Sequence, residues 1–189
     1  MSQEGSLILK TASEYKTPNE VFEFWKQVRE EVITCFKKTP QENFTENPTP
    51  DKWSVSEIAE HLYLSQFNLA RMIPVVMSRK FGNDMDEQPN LQYEKIRDGF
   101  LKPSGIKNPD TVNPLNKYPL NEVLKLLQKS EEKIGSSIKN FSKSDLQKRG
   151  FEHPILGPLN LFNWFWVMSL HEYSHLVALK EKIKNYPSV

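Results

Sequence analysis

Two histidines, His171 and His175, stand four residues apart inside the apolar segment 164–179. Residues at that spacing share one face of an α-helix, with β-carbons about 6 Å apart. Two imidazoles so placed can bind one ion at metal–nitrogen distances of about 2.0–2.1 Å. A third histidine, His61, lies far upstream in another apolar stripe. Three neutral imidazoles from two helices make a three-ligand site with positions left open for water or substrate. The competing account is structural. A lone histidine on an apolar stripe is more often a satisfied core residue than a ligand, and His-x-x-x-His pairs also occur on solvated faces. Here the pair shares its face with Trp164, Val167, Met168 and Leu179. Burying two imidazoles there without partners costs free energy, which a shared ion or hydrogen bonds to acidic groups would offset. Imidazoles of ordinary pKa, about 6.5, must shed their protons to bind together. Such a site predicts metal affinity that falls away as the pH drops below that value.

Neighbours of the histidines add candidates. Ser65 and Asn68 follow His61 by four and seven residues, on nearly its face. They are placed either to hydrogen-bond a substrate or to form a polar cap on one end of the fold. Glu57, Glu60 and Glu172 are candidate partners for imidazole N–H groups; for the first two, helix capping or a solvated face is the simpler reading. Cys35 has no activating pattern around it and reads as a small core residue. His153 precedes Pro154 and reads as a turn element, outside the metal set.

The elements that must carry these residues are helices. Thr17-Pro-Asn-Glu20 opens one with a capping-box pattern and proline at the first helical position. Val21, Phe24, Trp25, Val28, Val32 and Phe36 then keep helical spacing up to Pro40. Ser54-Val-Ser-Glu57 opens the second with another capping box, and Trp53 and Ile58 occupy the positions of a hydrophobic staple. Its stripe runs Ile58, His61, Leu62, Ser65, Leu69, Met72, and Pro74 is expected to kink or weaken it before Phe81-Gly82. Residues 82–118 are rich in proline and predict a long crossover with a short helix at 91–100. Pro119 starts a third helix with Leu120, Val123, Leu124, Leu127, Ile134 and Ile138. A short turn at 143–148 precedes the fourth, which begins near 158–160 and reaches Lys184. No alternation typical of strands competes. The expectation is an all-α, single-domain four-helix bundle over 1–189, with an N-terminal extension at 1–16. The long crossover between helices two and three lets those two run parallel.

Bulk properties narrow the partners. Lysine plus arginine number 25 against 24 aspartate plus glutamate, so no excess of positive charge argues for nucleic acid or an anionic membrane. A single cysteine excludes an intrachain disulfide framework and fits a reducing, cytoplasmic compartment. The apolar run Leu7–Leu9 is too short for the core of a signal peptide, and no stretch approaches the roughly 18 apolar residues of a membrane span.

Three blocks together resemble the DinB-like superfamily of four-helix bundles, and most of all its branch of bacillithiol S-transferases and metal-dependent hydrolases. They are Trp53-Ser-Val-Ser-Glu-Ile-Ala-Glu-His61, Lys148-Arg-Gly-Phe-Glu-His-Pro154 and His171-Glu-Tyr-Ser-His175. The resemblance implies the crossover between helices two and three and a divalent ion, zinc or nickel, held by His61, His171 and His175. It also implies a small-molecule substrate, such as a low-molecular-weight thiol, and a homodimer. The family name does not imply DNA binding, and the even charge balance agrees with the expectation of no nucleic-acid partner. The chain departs from the thiol-transferase pattern at Gln66, where a histidine can follow the first ligand by five residues, and this puts the substrate pocket in question. Two classes of function remain open. One is a metal-dependent enzyme that activates a thiol, as an S-transferase, or water, as a hydrolase. The other is a non-catalytic module that binds a metal or small molecule.

Overall fold

The computed structural model describes residues 7–88, 90–100 and 109–184. In chain order the helices are α1 (Pro18–Lys38), α2 (Gln41–Phe44), α3 (Val55–Met77), α4 (Tyr93–Gly99), α5 (Leu120–Ile138), α6 (Lys143–Gln147) and α7 (Leu161–Ile183). The strands are β1 (Asn83–Asp84), β2 (Arg149–His153) and β3 (Gly157–Asn160). The four long helices α1, α3, α5 and α7 form the bundle.

Side-chain contacts fix their directions. Ser56 near the start of α3 donates to the carbonyl of Tyr118, just before α5, and Ser137 at the end of α5 donates to Ala70 near the end of α3. These two helices are therefore parallel, as the long crossover implied. Phe22 lies by Phe165, Arg29 by Glu172 and Glu31 by Lys180, so α1 and α7 are also parallel. Lys182 reaches Trp53 while His171 meets His61, so α7 runs against α3. The order is up, down, down, up.

Local chemistry explains the helix starts. Ser54 and Glu57 form the expected reciprocal capping box. Thr17 accepts from the Glu20 N–H, but the Glu20 carboxylate turns to the N–H of Lys16 rather than Thr17. Asn160 caps α7 through the Asn163 N–H. Pro74 does not end α3, which runs on to Met77. Proline lacks the N–H that would bond the carbonyl of Ala70, and the Ser137 hydroxyl supplies that hydrogen bond at 2.8 Å instead. The buried stripe of α3 is also rotated from the expected one. Val55, Ala59, Leu62, Gln66, Leu69, Ile73 and Val76 face the core, while Ile58 and Met72 are only half-buried.

The first half of α7 is buried almost all round, from Leu161 to Leu170, so more than three helices must cover it. The N-terminal segment does so where the Trp166 indole donates to the Lys10 carbonyl, and α4 does so where Tyr93 packs edge-on against Trp166. The remaining cover is an antiparallel sheet in the order β1-β2-β3, absent from the sequence expectation. Arg149 ties it to the end of α3, donating to the carbonyls of Val76, Phe81 and Gly82 and pairing with Asp84 at 2.7 Å. Gly150 pairs with Asn83 on one side and Asn160 on the other. A Cβ at this position would run into the Leu159 carbonyl and the Asn160 backbone. Gly150→Ala is therefore expected to cost about 1–3 kcal/mol of stability through overpacking. The urea midpoint should fall at unchanged slope; an unmoved midpoint would contradict this close approach.

Candidate metal centre

His61 lies two turns into α3, and His171 and His175 lie one turn apart on the facing α7. The antiparallel pairing of these helices brings the three rings together. The Nε2 atoms of His61 and His171 are 3.1 Å apart, and those of His171 and His175 are 3.2 Å apart. One ligand atom from each residue lies within 4.8 Å of the other two. Trp53, immediately before the α3 cap, packs its ring 5.0 Å from that of His61.

The crossover decides which nitrogen of His61 is available. Its Nδ1 lies 2.8 Å from the carbonyl oxygen of Val112. A carbonyl only accepts, so Nδ1 carries the proton and Nε2 presents a lone pair towards His171. His171 Nε2 then sits between two other ring nitrogens. It holds at most one proton, so one of its two contacts is left without a well-aligned hydrogen. A shared cation removes the conflict. Two nitrogens each about 2.0–2.1 Å from one ion, at roughly 90–110°, lie about 2.8–3.4 Å apart, and both observed separations fall in that interval. A donor set of three imidazoles suits zinc, copper, iron and nickel alike. Three imidazoles of this chain therefore fit a single divalent ion.

Burial sets the protonation. Desolvation holds the His171 imidazole well below its ordinary pKa, with the neighbouring His175 and His61 adding to the shift. Desolvation, then His61, brings His175 down to about 3. Burial also lowers His61, against an opposing contribution from its bond to Val112. Burial therefore favours the neutral form of all three in the folded protein, most strongly at His171 and His175. This moves the acid limb of metal binding below the position expected from unperturbed histidines, because the work of removing protons has been transferred to folding. Among the described residues His171 Nδ1 is buried without a hydrogen-bond partner, unlike the second nitrogen of His61.

The other singled-out residues sit as follows. Ser65 is buried one turn beyond His61 on the same face, and its hydroxyl has no partner among the described residues. Asn68 donates to the carbonyl of Thr111 at 3.3 Å, holding the crossover against α3. Glu57 serves the capping box and also accepts from Asn47. Glu60 is buried, accepting from the backbone N–H groups of Leu115 and Asn116 and from the Asn116 side chain. It pins the crossover rather than orienting an imidazole. Glu172 is fully buried and also turns away from the histidines, accepting from Arg29 at 2.5 and 3.0 Å, from Gln66 at 2.5 Å and from the Trp25 indole. Gln66 belongs to this group, accepting from Arg29 and from Ser130. The Arg29–Glu172 network was missed from the sequence. Its one local signal is that Arg29 stands four residues after Trp25, inside the apolar stripe. His153 lies at the end of β2, in the turn its His-Pro pair implied.

Comparison with known proteins agrees with this architecture. The sequence profile of the DinB superfamily matches residues 24–178. The chain belongs to the DinB superfamily. YuaE, an uncharacterized protein of Bacillus subtilis (strain 168), is 22% identical over 158 residues, 83% of this chain and 93% of YuaE. Among solved structures, YfiT from Bacillus subtilis, "a probable metal-dependent hydrolase with an unusual four-helix bundle topology", superposes with a TM-score of 0.59 at 15% identity. That match covers 87% of this chain and 84% of YfiT. The mycothiol-dependent maleylpyruvate isomerase gives 0.60 at 12% identity, over 90% of this chain and 63% of that protein. TT2238, a four-helix bundle protein, gives 0.56 at 22% identity, over 87% and 99%. At these identities the structural likeness speaks for the fold. Among the described residues no helix is long and apolar enough to cross a membrane.

Proposed function

We propose that this protein is a metal-dependent enzyme in which His61, His171 and His175 hold one divalent ion, zinc or nickel, and act on a small molecule. The observation that carries this reading is the convergence of the three rings, with His171 Nε2 3.1 and 3.2 Å from the Nε2 atoms of His61 and His175. The likeness to YfiT and to a thiol-dependent isomerase supports the class of chemistry. The ion would serve as a Lewis acid towards a thiol or a water molecule placed on it. The chain's own residues do the rest. Val112 fixes the His61 tautomer, Trp53 steadies its ring, and burial favours the neutral form of all three imidazoles. Ser65 offers a hydroxyl one turn beyond His61 on the same face of α3. Asn68 has its Nδ2 engaged with the crossover and retains its carbonyl oxygen for a substrate donor. We place the protein in the cytoplasm, on its single cysteine.

The test begins with metal titration of untagged, chelator-stripped protein. About one ion per chain is expected. His61→Ala, His171→Ala and His175→Ala should each lower affinity more than about a hundredfold, the upper range for loss of a group that merely supports a ligand. Loaded protein is then screened with thiol plus electrophile, and with ester and amide substrates. Turnover lost in His171→Ala supports the enzyme. Failure to take up metal would overturn the site, and stoichiometric metal without any turnover would leave a binding module.

A further inference from the structure

The fourth histidine has an arrangement that a turn alone does not require. In β2, Phe151 and His153 lie on the same face, as residues two apart in a strand must. Both rings pack on Trp164 of α7 at centroid distances of 4.5 Å, Phe151 stacked and His153 tilted. The Trp164 indole N–H closes on the Phe151 carbonyl at 3.0 Å. The backbone N–H groups of Ile155 and Leu156 both donate to His153 Nδ1 at 3.2 Å. A nitrogen that accepts carries no proton, so the neutral ring keeps its hydrogen on Nε2. No acceptor takes that hydrogen among the described residues. The turn itself needs only an acceptor at the Nδ1 position, which asparagine or aspartate supplies more often than histidine. Trp164 and His171 are seven residues apart on one face of α7, about 10 Å along its axis.

Resting on the metal reading above, we propose that His153 is a substrate-positioning residue, whose Nε2–H binds an oxygen acceptor on an elongated ligand that has its metal-seeking head at the three histidines and lies along α7 past Trp164. The substrate class is thereby narrowed to molecules carrying a metal-binding group at one end and a carbonyl or carboxylate oxygen several bonds away. His153 acts on the far end of the ligand and takes no part in holding the ion.

The experiment uses cobalt(II)-loaded full-length protein and a series of ω-mercapto carboxylic acids of increasing chain length. Alkanethiols of equal length are the controls, and binding is read from the cobalt–thiolate absorbance. In the unaltered protein one chain length should bind at least about tenfold more tightly than its alkanethiol, the lower end for a hydrogen bond to a charged group. His153→Asn keeps an acceptor for the turn and removes the donor. It should abolish that preference while leaving cobalt affinity and alkanethiol affinity unchanged. His153→Gln places an amide N–H near the lost Nε2–H and should recover part of the preference, even if the turn is weakened. Three results would overturn the proposal: no chain length preferred over its alkanethiol, a preference that survives in His153→Asn, or cobalt affinity that falls in His153→Asn. If the unaltered protein binds no cobalt, the metal reading fails and this proposal fails with it.

Discussion

Arg29→Met is expected to cost about 3–5 kcal/mol of folding stability, the range for removing one partner of a buried ion pair. Arg29 and Glu172 are 1% and 0% exposed, and the guanidinium is spent entirely on protein groups. It reaches Glu172 from α1 to α7, Gln66 on α3 and the Leu127 carbonyl on α5. Its removal leaves the Glu172 carboxylate in the core with only the Trp25 indole and the Gln66 amide as donors. Those are neutral groups, and an uncompensated buried charge is what makes the loss large. Methionine keeps most of the volume, so the effect is electrostatic rather than a cavity. Urea denaturation measures it. The double variant Arg29→Met with Glu172→Gln should recover a substantial part, since neither charge is then stranded. A single variant within about 1 kcal/mol of the parent, the scale of an exposed pair, would refute the burial of this network.

Acid should weaken the chelated protein well before its carboxylates titrate. His175 and His153 are held near 3 and 4, and His171 and His61 are also lowered. In the unfolded chain these side chains take up protons near pH 6.5. Between that pH and the native values the unfolded state binds more protons, so stability is fully present above about 6.5 and falls as the pH falls. Each histidine contributes a slope of at most about 1.4 kcal/mol per pH unit. Urea midpoints at about pH 7, 6 and 5 with chelator present give the slope. Over the same range the intrinsic metal affinity of the folded protein should fall less steeply than three unperturbed histidines would make it, because burial already favours the neutral ligands. Equal stability at pH 7 and pH 5, or an affinity that collapses from pH 6.5, would show that the histidines are more hydrated than the structure places them.

The four long helices were legible because each combines an apolar period with a chemical start signal, as at Ser54 and Pro119. The His61, His171 and His175 set was legible for a similar reason: one pair is local, and the third lies in a stripe that had to face the same core. The hairpin was not. Its strands span only five and four residues, and Gly150, Gly157 and Pro158 erase any alternation. The available signal was the turn, in which three residues separate His153 from Gly157 at φ +73°. The partners of Glu60 and Glu172 were out of reach for a different reason. Which acid meets a backbone N–H and which meets a guanidinium depends on contacts more than fifty residues away in sequence.

The same long reach has a kinetic side. His61 and His171 are 110 residues apart along the chain, and the helices that carry them meet only when the up, down, down, up order is complete. Ordering the intervening loop comes before any gain from the contact, so this pairing belongs to the late, slow part of assembly. During synthesis, at about 5–20 residues per second, α1, α3 and α5 emerge without α7 and without either of its histidines. An ion arriving then finds one imidazole. The triad is thus a product of folding rather than its nucleus, and capture of an ion there would report that the last long helix has docked.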